Sequence, residues 1–131
     1  ATSEPLGSLL ALLLGLYEQA VRAVYARGGL VGFQSPLSSP FLYLPHHIVI
    51  PGVLTAGDLS ALAAGLAPPP LAVVGLVDGL NRAAEPNGVE AAYAHTRQAY
   101  EAVKARDRLV VGGVEAVAAP GSWLLETLRG K

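Results

Sequence analysis

Cysteine and methionine are both absent from the 131 residues. Without thiols there is no disulfide framework and no thiolate metal site, and composition says nothing of the redox compartment. Charge is scarce too: Asp, Glu, Lys and Arg make up 15% and the net charge is -1. No basic cluster exists of the kind that a phosphate backbone requires, so nucleic acid is not an expected partner. Long hydrophobic runs are also missing. The longest, residues 6–17, spans about a dozen residues where a membrane helix needs about twenty. It lacks the basic flank of a secretory leader. The expectation is a buried helix in a soluble, cytoplasmic protein with no membrane partner.

What is present is apolar. Hydrophobic residues reach 52% and the mean hydropathy is +0.44, whereas a soluble surface is normally about a quarter to a third charged. Part of this surface is expected to meet another chain or segment. The length suits one domain, residues 1–131, whose folding buries roughly two-thirds of the unfolded chain's surface. The lack of Met and Cys, the few Asn and Gln and the 10 prolines lean toward a thermophilic source.

The chain is organised around Ala67-Pro68-Pro69-Pro70-Leu71-Ala72-Val73-Val74-Gly75-Leu76-Val77-Asp78-Gly79. A nearly unbroken apolar run bounded by Pro and Gly reads as a strand buried on both faces of a parallel sheet. It stops on an acid. Ligands and catalytic groups of open α/β sheets gather beyond the carboxyl ends of strands, which makes Asp78 the first candidate site residue.

Around this strand the pattern is helical to about residue 17, with Ser3 as cap, then a short strand at 21–26 ended by Gly28-Gly29. Leu residues surround the first helix, which predicts cover on most sides. Residues 30–55 carry too many prolines for a regular element and form a lid-like excursion in which Ile48-Val49-Ile50 is a short extended piece. A short helix over 58–66 starts near Thr55 or Gly57. One long helix is expected over 89–106, where Val89, Tyr93, Thr96, Tyr100 and Val103 share a face. A third strand at 108–113 and a closing helix at 122–129 complete an α/β unit with three parallel strands. Two of these are edges, an association liability.

In order and spacing, Val21-Arg22-Ala23-Val24 before Gly28-Gly29-Leu30, Tyr43-Leu44-Pro45, Pro51-Gly52-Val53-Leu54, Asp58-Leu59, the 67–71 segment with Gly75 and Asp78, Ala92-Tyr93, Tyr100, and Asp107-Arg108-Leu109 before Gly112-Gly113 carry a resemblance. The chain resembles the C-terminal half of an α/β-hydrolase of the dienelactone hydrolase and acetyl xylan esterase-like group. The resemblance implies a partial, three-layer α/β-hydrolase-like fold with a short, mainly parallel sheet. It also implies carboxylic ester hydrolysis by a Ser, Asp, His triad in that chain order.

Each member of that triad is placed separately. Asp78 takes the acid's position at the end of the penultimate strand; the plainer reading is a cap of the turn Asp78-Gly79. Ser3 lies where the nucleophile belongs, although Ala1 and Pro5 stand in place of the glycines of G-x-S-x-G, and a helix cap reads equally well. Ser8 lies already inside the helix. The family's final Gly-Gly-His is here Gly112-Gly113-Val114, and valine transfers no proton. His46 or His47 on the excursion would then have to serve as base, against the alternative of two solvated loop residues. Adjacent histidines on an extended segment point apart, so no metal and no cofactor is expected. Asn81 and Arg82 would contact a substrate carboxylate or close the loop. His95 faces away from the helix's apolar side, and the tyrosines and Trp123 belong to core and interface.

Three functions stay open. The first is an esterase-type domain acting on a small ester, which the resemblance implies is truncated relative to a full hydrolase, the strands before the nucleophile turn being missing. Its first-strand edge would pair with a second copy, as a homo-oligomer, or with the missing hydrolase half. The second is a non-catalytic interaction module that kept the hydrolase core. The third is a small-molecule-binding protein using a pocket under the excursion.

Overall fold

In the computed structural model, which describes residues 4–117 and 119–130, a short sheet lies between two helical layers. Helix α1, Glu4–Tyr17, begins with an acid at its positive end and Pro5 in the first turn, where no helical hydrogen bond is lost. Leu9 and Leu12 are buried, but Leu10, Leu14 and Tyr17 face solvent. The expectation of cover on most sides is corrected: α1 packs on one side and carries an apolar stripe on the other.

Strands β1 (Val24–Arg27), β2 (Leu71–Val74) and β3 (Leu109–Gly112) are parallel in the order β1-β2-β3. Val24 stands opposite Leu71, and Leu71 opposite Leu109. β2 is the apolar run read from the sequence, and all four of its residues are buried because both faces are covered. Alternation sorts the side chains. Val24, Ala26, Leu71, Val73 and Leu109 pack with Leu12, Ala63, Leu66, Tyr93 and Tyr100. Ala72 and Val74 point the other way, toward Val117, Tyr25, Val110 and Trp123. Helices α1, α2 (Leu59–Gly65), α3 (Pro86–Ala92) and α4 (Ala94–Ala102) supply the first layer. Helix α5 (Pro120–Arg129) supplies the second, through Trp123, whose ring lies 6.3 Å from that of Tyr25. This is the expected three-layer α/β arrangement with a short parallel sheet. β1 lies three residues later in its start than read from the sequence, and among the described residues it forms one edge: Val24 and Gly28 donate to Pro70 and Val74 of β2, leaving the alternate backbone groups on the open side.

Residues 30–55 are irregular as expected, yet they are not a loose flap. Three 3-10 turns, Ser35–Ser38, His46–Ile48 and Val53–Thr55, fold them onto a core of their own. Leu30, Phe33, Leu44 and Ile48 of the excursion pack there with Leu9 and Leu59. Ile48 is thus part of a turn rather than of an extended piece. With Pro45 and Pro51 flanking it, the segment turns instead: Ile48 donates to Pro45 and Val49 to His46.

The single helix expected over 89–106 is two. The chain breaks at Tyr93, which leaves helical geometry with φ -99° and ψ 10°. It ends at Ala102 because Lys104 adopts φ 57°. Lys104 N–H bonds to the Glu101 carbonyl and Ala105 N–H to the Tyr100 carbonyl, the paired bonds of a Schellman termination.

Candidate active site

Beyond β2 the chain turns at Gly75, whose φ of 62° suits glycine, and then resumes extension. Val77 accepts from Val31 and donates to Gly29, a parallel bridge that continues the sheet at Leu30 and Val77. Asp78 therefore lies in the loop four residues past the strand, just after a bridging residue that is held on both sides. Val77 also faces Ala83 in an antiparallel bridge. Residues 78–82 are the tip of this narrow return.

The Asp78 carboxylate is fully occupied by its own loop. Oδ1 accepts from the backbone N–H of Leu80 at 2.9 Å and of Arg82 at 3.0 Å. Oδ2 accepts from Nε and NH2 of the Arg82 guanidinium at 3.2 and 3.1 Å. Partial burial pushes the carboxyl up, but the bonds and charge from Arg82 and the Leu80 N–H outweigh it and hold the pKa below the ordinary carboxylate value. Arg82, read as a possible substrate contact, is spent on Asp78 while its outer side remains exposed.

Next to this loop the excursion makes a close approach. A Cβ on Gly79 would fall 2.7 Å from Pro36 Cα, so only glycine admits the packing seen here. The Gly79 N–H donates to Ser35 Oγ at 2.9 Å, and the Gly79 carbonyl accepts from Tyr43 N–H at 3.1 Å. On the opposite side Asp58 caps α2: its Oδ1 accepts from Leu59 N–H and from Phe33 N–H, both at 2.7 Å. One carboxylate thus ties the excursion to α2. The sequence reading set Thr55 or Gly57 near the start of this helix and gave Asp58 no capping role; an acid directly before a helical run is itself a cap signal.

Between these elements lies a cavity of about 400 Å³ whose polar lining is Gln34, Ser35, Asp58, Ser60, Asp78 and Glu85. Three carboxylates and no cation line it, an environment that accepts hydroxyl or amine donors and repels a carboxylate or phosphate. A second cavity, about 600 Å³, opens at the carboxyl ends of β2 and β3 against Gly75, Gly112, Gly113, Val114 and Glu115. Asp78 lines the first and Val114 the second, so the two residues open onto different spaces.

The histidines lie elsewhere. His46 and His47 are exposed on their 3-10 turn, and neither lines the cavity beside Asp78. His95 is exposed on α4, as read. Ser3 lies outside the described residues. Ser8 is buried inside α1 against Gly29. Among the described residues no group of three or more His, Asp or Glu is placed to hold a metal ion. No single helix among them is long and apolar enough to cross a membrane. The structure thus brings Asp78 together with Ser35, Asp58 and Glu85, and it does not bring Asp78 together with a histidine. Comparisons with protein-family models, with curated proteins and with solved structures found no match.

Proposed function

We propose that the chain is an α/β-hydrolase-type domain of the carboxylic ester hydrolase class, similar to the dienelactone hydrolase and acetyl xylan esterase-like group, and that by itself it is not a working esterase. The reading of its class rests on the order of sequence segments that ends in Gly75 and Asp78, and the parallel α/β layering is compatible with it. In such chemistry an imidazole takes the serine proton and a carboxylate fixes the imidazole tautomer. The single observation behind the loss of activity is that both oxygens of Asp78 are bound within its own loop by Leu80 and Arg82. A carboxylate so engaged has no free oxygen aimed at an imidazole, and Val114 stands where that imidazole belongs. The domain then acts as an assembly module, through its open β1 edge or another face. Binding of a small hydroxyl-bearing ester or an alcohol in the cavity beside Asp78 is the secondary role, favoured by the hydroxyl-accepting lining.

The test is intact-mass spectrometry after exposure to a fluorophosphonate probe, with Ser3→Ala as control. The expected result is no adduct and no turnover of a short-chain aryl ester. An adduct that disappears in the control would show an activated Ser3 and a base in reach, making His46 and His47 the next substitutions and overturning the non-catalytic reading.

A further inference from the structure

We propose that the outer face of the 30–55 excursion is a self-association surface that takes a second copy of this chain. The inference rests on the assembly-module part of the proposed function, for which it names the face and the partner, and uses none of the ester-hydrolase part.

Charge comes first. Residues 28–57 contain no Asp, Glu, Lys or Arg, in a chain that is otherwise charged at both ends of that span, at Arg27 and Asp58. A two-fold contact lays a patch against itself, so every fixed charge on it meets its own like. A patch free of both signs escapes that cost, and it offers nothing to a charged partner or to an anionic lipid surface, which is recognised by lysine and arginine.

Exposure and shape come next. Leu37 is 75% exposed, Tyr43 67% and Phe41 66%, with Val49, Ile50 and Leu54 also open to solvent. Together these six expose on the order of several hundred Å² per copy, the scale of the ~800 Å² that each side of a standard-size interface buries. Four of them, Leu37, Val49, Ile50 and Leu54, line an apolar groove of about 340 Å³ together with Phe33, Pro36 and the rest of 49–55. Gly79 holds the two features together: Pro36, on the groove's rim, packs on it, and Tyr43 donates to its carbonyl. Phe41 and Tyr43 are exposed on the same excursion as the groove and are of a size to enter the groove of a second copy. The excursion's inner side is already used up in its own core of Phe33, Leu44 and Ile48, so the face is rigid before it docks, and less ordering entropy opposes association.

Light scattering after size exclusion decides the matter on the full chain. The wild type should run at twice 13.4 kDa, and the double variant Leu37→Glu, Tyr43→Glu should run at the single-chain mass with an unchanged far-ultraviolet circular dichroism spectrum, since both side chains are exposed, and with a melt that no longer depends on protein concentration. The matching double Lys variant should also be monomeric, and mixing the Glu and Lys forms should restore the dimer. A monomeric wild type at every soluble concentration overturns the proposal. So does a dimer that survives both Glu substitutions, whether or not Leu14→Glu on the α1 stripe then breaks it. A monomer that sediments with neutral phosphatidylcholine vesicles overturns it in favour of a lipid surface.

Discussion

Asp78 shows how one side chain supports two different readings. As a strand-end acid it looks catalytic; with four hydrogen bonds to residues 80 and 82 it is the keystone of a five-residue return. The ion pair with exposed Arg82 adds little in water, so the two backbone N–H bonds carry most of the effect. Asp78→Ala should lower stability by about 1–2 kcal/mol, the scale for hydrogen bonds to a charged acceptor in a partly exposed site, and Arg82→Ala by less. Because the folded pKa is depressed, the contribution is complete above the unfolded carboxylate value near pH ~4 and is lost as pH falls through the lower, folded value. Denaturation curves of wild type and Asp78→Ala should therefore differ at neutral pH and draw together in acid. An Asp78→Ala protein as stable as wild type at neutral pH would remove Asp78 as the loop's anchor. From sequence the turn role was visible as the plainer alternative, since Asp-Gly is turn chemistry. What was not visible was Arg82 reaching back over Asp78, which depends on Asn81 taking φ 58°.

Among the elements, the strands and the helix faces were legible and the helix axis was not. Val89, Tyr93, Thr96 and Tyr100 reach the buried side, as their spacing predicts, but Val103, read on the same face, is exposed because the helix has already ended at Ala102. Periodicity is blind to a change of axis, because both halves still present the same residues inward. The break is set from outside the segment: Thr96 Oγ1 donates to the Ser60 carbonyl at 2.8 Å and Tyr100 OH to the Pro69 carbonyl at 2.7 Å, fixing α4 to its neighbours. The helix end was hidden for another reason. A left-handed terminus is normally signalled by glycine, and here a lysine occupies it. Lys104→Gly should relieve that conformation and raise stability by about 1 kcal/mol, read as a higher midpoint in urea with an unchanged slope. A lower midpoint would mean that Lys104 holds a compensating contact.

For the molecule as a whole, the balance between covered and open surface governs behaviour. Tyr93 and Tyr100 are buried in the main core, and burial pushes both phenols well above the ordinary value, with the nearby Asp58 charge adding to the effect at Tyr93. A neutral phenol favoured by folding is stabilising only while the unfolded phenol is neutral too. Stability should hold below the unfolded tyrosine value near pH ~10 and fall as pH rises beyond it. Absorbance at the phenolate band should accordingly include a late stage, from the buried pair, that appears only as the fold opens. A single smooth titration with the near-ultraviolet circular dichroism intact would contradict that burial.

The sequence by itself determined the α/β class, the central strand, the position of Asp78 after it and the irregular, proline-rich excursion. These follow from local chemistry: period, β-branched runs, proline and glycine. Tertiary structure alone decided that the excursion folds on its own core, that α1 keeps an apolar outer stripe and that Asp78 closes on Arg82 instead of on a histidine. Each of those depends on which distant segment arrives, Pro36 over Gly79 or Phe33 at Asp58, and packing between segments far apart in sequence leaves no periodic mark on either one.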